Sequence, residues 1–336
     1  MAVIEQTPHS NTGSTHTSGG QVIVSVDWLE WTAGEGSRLL QVLPEVGGLD
    51  LTELGHGMNG YRKVHQVAGV KILSDGGASG MGRHYIVGGE ALRGLEADLG
   101  VGKEDLLRRV LEVHQGSITR LDIAVDVVNR GIGRELIQQA YDSRGVVSRL
   151  RKWREHAEKD MDGNYQSGWS FYVGAWSSGC EVNIYDKRAE QLGKGNQWVK
   201  WLQDWVRFEW RLGKKFSGQF AGVLLSGDMG QLRSLLTGIV DFVERGSDSN
   251  KWRSQRVGWY EGIMGDLKRG QILMPERDWD AFEAREWLRK NMGKSLLKVA
   301  RAWDVSVSEL ARDLAQYGRA QWTERDEEDV RRWRQV

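Results

Sequence analysis

Through the first two thirds of the chain, stretches in which apolar and polar positions alternate with a period of two recur, with shorter helical stretches between them. Toward the end the pattern shifts to the wider spacing of helices. Residues 21–32 (QVIVSVDWLEWT) predict a first strand, and 61–74 and 84–88 predict further strands between glycine-rich turns. Helical spacing follows over 90–99 and 104–114. The stretch 117–128 (SITRLDIAVDVV) is a strong strand, and 133–141 and 147–158 read as helices. Three more strands are predicted at 168–176, 179–187 and 205–214, with a short helical start at 188–192. From residue 217 the pattern is helical, most clearly over 230–244, 279–291, 295–303 and 306–314.

A strand-rich block followed by a helix-rich one predicts an α+β fold. An antiparallel-sheet-centred domain with flanking helices spans 21–216, an α-helical C-terminal region spans 217–336, and the boundary falls near 216–226. No fixed-period repeat points to a solenoid.

Residues two apart on a strand share a face. On 117–128, Leu121, Ile123 and Val125 form an apolar face opposite Arg120, Asp122, Ala124 and Asp126. On 179–187, Val182 and Ile184 oppose Glu181, Asn183, Tyr185 and Lys187. On 205–214, Val206, Phe208, Trp210 and Leu212 oppose Arg207, Glu209 and Arg211. A solvated outer face accounts for any one such strand. Three together, with Arg-x-Asp, Tyr-x-Lys and Arg-x-Glu, outline a phosphoryl-transfer site: carboxylates for a hard cation, and cations for phosphate. Asp122 and Asp126 sit four residues apart, roughly 13 Å along a strand, so Asp122 with Glu209 is the preferred ligand pair. Asp126 is a supporting group, a ligand reached through a bend, or structural.

Composition narrows the setting. Hydrophobic residues make up 40% and charged residues 27% of the 336 residues, enough for a core, and no apolar run is long enough to span a membrane. Residues 1–20, rich in Ser, Thr, Gly and Asn, read as a flexible tail. One cysteine, Cys180, excludes an internal disulfide and a cysteine zinc site and fits a cytoplasmic location. Net charge is zero, so DNA affinity would have to be local. Residues 144–159, 251–256 and 268–269 are basic, and 324–329 are acidic. Sixteen tryptophans are present, several beside arginine (Trp153-Arg154, Trp252-Arg253, Trp333-Arg334). Such pairs stack bases and bind phosphates, although core packing explains most tryptophans.

The stretch Thr119-Arg120-Leu121-Asp122-Ile123-Ala124-Val125-Asp126 resembles the T-R-L-D-x-A-x-D block of the replication initiation factor family. These are rolling-circle initiators of small plasmids and some filamentous phages. Tyr172-Val173-Gly174, then Ser177 and Ser178, then Ile184-Tyr185-Asp186-Lys187 with Glu190, is similar to its Y-x-G…S…I-Y-[DEN]-K…E block. Arg207-Phe208-Glu209 with Leu212 resembles its R-x-E-x-x-L strand. Asp27-Trp28-Leu29 and Gly88-Gly89-Glu90-Ala91-Leu92 are similar to weaker patterns, and all blocks stand in family order over about 22–215.

The resemblance implies a nickase. Tyr185 attacks a backbone phosphate of origin DNA, keeps a 5′-phosphotyrosyl link and frees a 3′-OH primer. Free tyrosine titrates near ~10, so a cation must favour the phenolate, and Lys187 shares its face. Tyr185, Lys187 and Arg120 are the expected catalytic groups. Asp122, Glu209 and Asp126 are the expected ligands of Mg²⁺ or Mn²⁺, and Arg207, Arg211 and Asn183 the expected DNA contacts. Asn183 stands where plasmid members often carry arginine. The implied partners are origin DNA with a single-stranded or hairpin nick site, a host helicase and polymerase, and a second copy in a homodimer. No His-x-His pair indicates a histidine-ligated nickase, and His65, His84 and His114 are isolated. Residues 296–314 resemble a helix-turn-helix, with Ser306 and Glu309 as a capping box, or equally an ordinary helical hairpin. Two other readings stay open: a non-catalytic DNA-binding regulator on the same fold, and a relaxase or transposase of related chemistry.

Overall fold

Strand β6 (Ser117–Val128) organises the molecule, because it pairs on both sides and every residue from Leu121 onward is buried. In this computed structural model, residues 20–162, 165–246, 250–265, 285, 288–289, 292–320 and 322–334 are described. The chain divides into two compact units, Met1–Leu273 and Met274–Val336. The expected tail over 1–19 and most of the helix expected over 279–291 lie outside the described residues.

In the first unit the strands are β1 (Gln21–Ala33), β2 (Thr52–Leu54), β3 (Tyr61–Val67), β4 (Val70–Gly76), β5 (Arg83–Gly88), β6, β7 (Val146–Ser148), β8 (Trp153–Lys159), β9 (Tyr165–Ala175), β10 (Cys180–Asp186), β11 (Trp205–Gly213) and β12 (Val240–Phe242). Ten of them form one sheet in the order β2-β3-β4-β5-β1-β6-β11-β10-β9-β8, and β7 pairs with β12 in a small second one. Every pairing is antiparallel. The helices are α1 (Gly89–Leu99), α2 (Lys103–Glu112), α3 (Arg134–Asp142), α4 (Lys187–Gly193), α5 (Lys214–Ser226), α6 (Met229–Ile239) and α7 (Gly258–Met264).

The expected faces hold. Leu121, Ile123, Val125, Val182, Ile184, Val206, Phe208, Trp210 and Leu212 all enter one core with residues of α1, α2, α3, α5, α6 and α7. Helix α5 packs across β6 and β11 through Phe216 and Phe220, both buried. The helices from 214 to 264 thus share the core of the sheet, and the break between units falls beyond them, at Leu273.

Two expected helices change. Residues 147–158 form β7 and the edge strand β8. Their spacing is two: Trp153 stacks on Tyr141 on the helix side, while Arg154 turns to the other face and meets Glu181. The helix expected over 230–244 stops at Ile239, and Val240–Phe242 pairs with β7. β-Branched and aromatic side chains gain more on a half-buried ladder than in a further helical turn.

The second unit contains α8 (Gly293–Ala302), α9 (Val307–Ala320) and α10 (Glu324–Arg334). The capping box before α9 forms as expected: Glu309 N–H donates to Ser306 Oγ at 3.1 Å, and Ser306 N–H donates to Glu309 Oε2 at 2.9 Å. No helix among the described residues is long and apolar enough to cross a membrane.

Candidate active site on the polar face of the sheet

The register places the three polar strand faces side by side. Asp126 lies opposite Arg207 and Asp122 opposite Arg211 across β6 and β11, and Tyr185 lies opposite Arg207 across β11 and β10. A fourth strand contributes through a bulge. Pairing of β1 with β6 shifts between Val26 and Trp28. The apolar positions of β1 accordingly change from Val22, Val24 and Val26 to Leu29, Trp31 and Ala33. Asp27 is the extra residue, and its carboxylate lies 2.8 Å from the Arg207 guanidinium. Strict alternation conceals Asp27. The similarity of Asp27-Trp28-Leu29 to a weak family pattern was the only signal for it.

Tyr185 stands next to the end of β10 within reach of two charged groups. Its hydroxyl donates to Glu209 Oε2 at 3.2 Å and accepts from Lys187 Nζ at 3.4 Å. Asp186 explains how Lys187 arrives there. It caps α4 by accepting from the Ala189 N–H at 2.8 Å, which turns the chain out of the strand one residue after the tyrosine. Lys187 then sits one helical turn from Glu190, 2.5 Å from its carboxylate, and Lys194 pairs with Glu190 as well. Burial opposes the charge of Glu190, but the two lysines hold its carboxyl down at about 2.

Burial lifts the Tyr185 phenol well above its usual range, and the negative charge of Glu209 adds to this. The side chain is therefore a neutral phenol that needs a base, and Glu209 accepts its proton's hydrogen bond. Burial, then the Arg207 charge, lowers Lys187 from the usual range.

Asp126 is fixed elsewhere. It accepts from Arg207 Nε and Nη2 at 2.8 and 2.7 Å and from the Trp205 indole at 2.7 Å, all buried. Asp122 is held by Arg120 at 2.9 and 2.6 Å, and Glu209 by Arg211 at 2.7 Å. Among the described residues no three acidic, histidine or cysteine side chains converge on a possible metal position. The three carboxylates expected as ligands do not fit a metal as placed: each is engaged by a guanidinium, and Asp126 accepts three hydrogen bonds. Arg120, expected at the reacting phosphate, is instead pinned to Asp122, with its guanidinium 4.6 Å from the Trp28 ring centre and 5.1 Å from that of Trp176. Asn183 is buried on the same face, and its Oδ1 has no hydrogen-bond partner. His84 is drawn into the margin of the face, 3.2 Å from Glu30.

Two expected outcomes test these assignments. Asp126→Ala leaves Arg207 buried beside Asp27 alone and should cost roughly 3–5 kcal/mol in urea unfolding with a chelator present. A loss under about 1 kcal/mol would return Asp126 to the list of ligands. Burial raises the Asp122 carboxyl from 3.8 to about 7 against the pull of Arg120. A raised carboxyl favours the neutral form in the folded state. Its contribution to stability is thus full below about pH 4 and is lost as pH rises to about 7, at about 1.4 kcal/mol per unit. Asp122→Asn, always neutral, should gain stability relative to the parent over that window, and a pH-independent difference would refute the shift.

A sequence model of the replication initiation factor family matches residues 116–314. A putative DNA relaxase, NicK, of Bacillus subtilis (strain 168) is 23% identical over 318 residues, covering 90% of this chain and 89% of that protein. The solved structure of a rolling circle replication initiator protein from Geobacillus stearothermophilus superposes with a TM-score of 0.62 at 23% identity, covering 75% of this chain and all of the other. That likeness establishes a shared fold.

Proposed function

From the premise that the chain belongs to the replication initiation factor family, we propose that it nicks origin DNA with Tyr185 as nucleophile. The observation that carries this reading is the Tyr185 hydroxyl held between the Glu209 carboxylate and the Lys187 ammonium.

The roles follow from the geometry. Glu209 takes the phenolic proton as Tyr185 Oη forms a bond to a backbone phosphorus. The P–O3′ bond breaks, and the 3′ oxygen leaves with a proton from solvent. The phosphate stays on Tyr185 through its 5′ side, so the bond energy is conserved for rejoining. Lys187, oriented by Glu190, places positive charge next to the forming bond and the phosphate oxygens. Arg207 lies opposite Tyr185 but is committed to Asp126 and Asp27, so it supplies field and rigidity rather than a free fork. Arg211 is the more exposed phosphate contact. The expected Mg²⁺ or Mn²⁺ would have to draw Asp122 or Glu209 away from its arginine, and no step here depends on it.

The full-length relation to the Bacillus subtilis protein favours a second reading, a relaxase that begins strand transfer with the same nick. Both readings predict a covalent adduct. Supercoiled DNA carrying the sequence around the gene is expected to yield nicked circles and a denaturant-stable protein–DNA complex, with the nucleotide on Tyr185 by mass spectrometry. Nicked circles with no linked protein would defeat both.

A further inference from the structure

Beyond the nucleophile, the polar face continues along β10 toward the turn that precedes it. Asn183 and Glu181 follow Tyr185 on that face, with Tyr172 opposite Asn183 on β9. Arg154 reaches over from β8, donates to Glu181 at 2.7 Å and lies 5.3 Å from the Tyr172 ring centre. Arg211 approaches the other Glu181 oxygen, so two arginines neutralise this acid. The path ends at Trp176, in the single turn Trp176–Ser178.

That turn is built for its place. Gly174 and Gly179 flank it in left-handed backbone, at φ +88° and +79°. A Cβ at Gly174 would lie 2.8 Å from the Cys180 carbonyl oxygen and from Leu150. Trp176 is thereby set beside the Arg120 guanidinium, which also lies by Trp28 and is locked in plane by Asp122. Trp176 nevertheless leaves 46% of its surface exposed. An exposed indole, fixed beside a rigid arginine at the end of this polar, ion-paired face, is a stacking platform. A second, independent observation also points to a missing ligand: Asn183 Oδ1, midway along the path, is buried without a partner.

We propose that an unpaired DNA strand lies along β10 from Tyr185 to the 176–178 turn, with a base stacked on Trp176. This rests on the nicking reading and on the single-stranded nick site that the family resemblance implies, and it adds Trp176 as the residue that takes a base. Tyr185 and Gly179 are six residues apart, roughly 20 Å on a strand, so the stacked base lies several nucleotides from the scissile phosphate. Trp176 is a positioning residue. Duplex DNA keeps its bases stacked on one another and offers none to the indole.

The test uses the full chain carrying Tyr185→Phe, with a labelled 20-nucleotide oligothymidine and a 20-base-pair duplex as probes. Adding Trp176→Ala is expected to weaken single-strand binding roughly 5- to 100-fold, with duplex binding little changed, and Trp176→Phe to restore most of it. The slope of affinity against salt should stay as in the parent, whereas Arg154→Ala should make it shallower by about 0.7. Trp176→Leu covers Arg120 without a π face and should behave like the alanine variant; it decides the matter if the alanine variant is unstable. In otherwise unmodified protein, Trp176→Ala should raise KM and leave kcat nearly unchanged. Unaltered oligothymidine binding, or an equal loss for duplex, overturns the stacking site while adduct formation on Tyr185 would still support the nicking reading. The reverse result, Trp176-dependent strand binding with no adduct, removes the reaction and keeps the platform.

Discussion

Tyr185→Phe is expected to bind origin DNA like the parent and to form no covalent adduct, with nicking reduced by at least about 10⁴-fold. The magnitude follows from the absence of a substitute. Tyr185 is the hydroxyl that donates to Glu209, at 3.2 Å, with Lys187 beside it, and phenylalanine keeps the ring without it. Removing one hydroxyl from a partly buried side chain should change stability by only about 1 kcal/mol, so the loss reads as chemistry. Both the adduct and the nicked circle should vanish together. A phenylalanine variant that still nicks at a normal rate removes Tyr185 from the reaction, and the rest of the proposed mechanism with it.

Glu209→Gln should lower the nicking rate by about 10²- to 10⁴-fold while binding holds, the range a positioned base contributes. The residual activity has a signature. Burial and the charge of Glu209 keep the Tyr185 phenol protonated well beyond its usual range. Without a base, the proton must leave to solvent, and the remaining rate should climb about tenfold per pH unit with no plateau in the accessible range. Added Mg²⁺ or Mn²⁺ should not rescue it. Rescue by high metal concentration would instead make Glu209 a ligand, as the sequence had suggested. Glutamine keeps the size and an acceptor for Arg211, which lies 2.7 Å from the present carboxylate, so thermal unfolding should shift only slightly.

The α+β class and the three strands with their faces were legible in the sequence, because a period of two states which residues share a side, and the resemblance of the motifs on those strands pointed to the family. Tyr185 and Lys187 fall on one face by counting, and the capping role of Asp186 turns that count into proximity. Residues 147–158 misled because a basic run rich in arginine and lysine suits a solvated helix equally well. Only the edge of a sheet, offering β9 as partner, makes it β8.

What the chain alone determines about this protein is therefore pattern: which side chains face which way, where turns fall, and that a tyrosine, a lysine, acids and arginines share a surface. What only the tertiary structure decides is pairing across strands. Asp122 and Glu209 pair with the arginine two residues away on their own strands, at 2.6 Å and 2.7 Å, as alternation alone allows, whereas register brings Asp126 to Arg207 of the neighbouring strand at 2.7 Å. A single bulge brings Asp27 onto Arg207, and a glycine-flanked turn brings Trp176 onto Arg120. The physical reason is range: alternation is fixed by local backbone geometry, whereas charge partnership depends on which strands lie side by side, and that is set by burial of the opposite face.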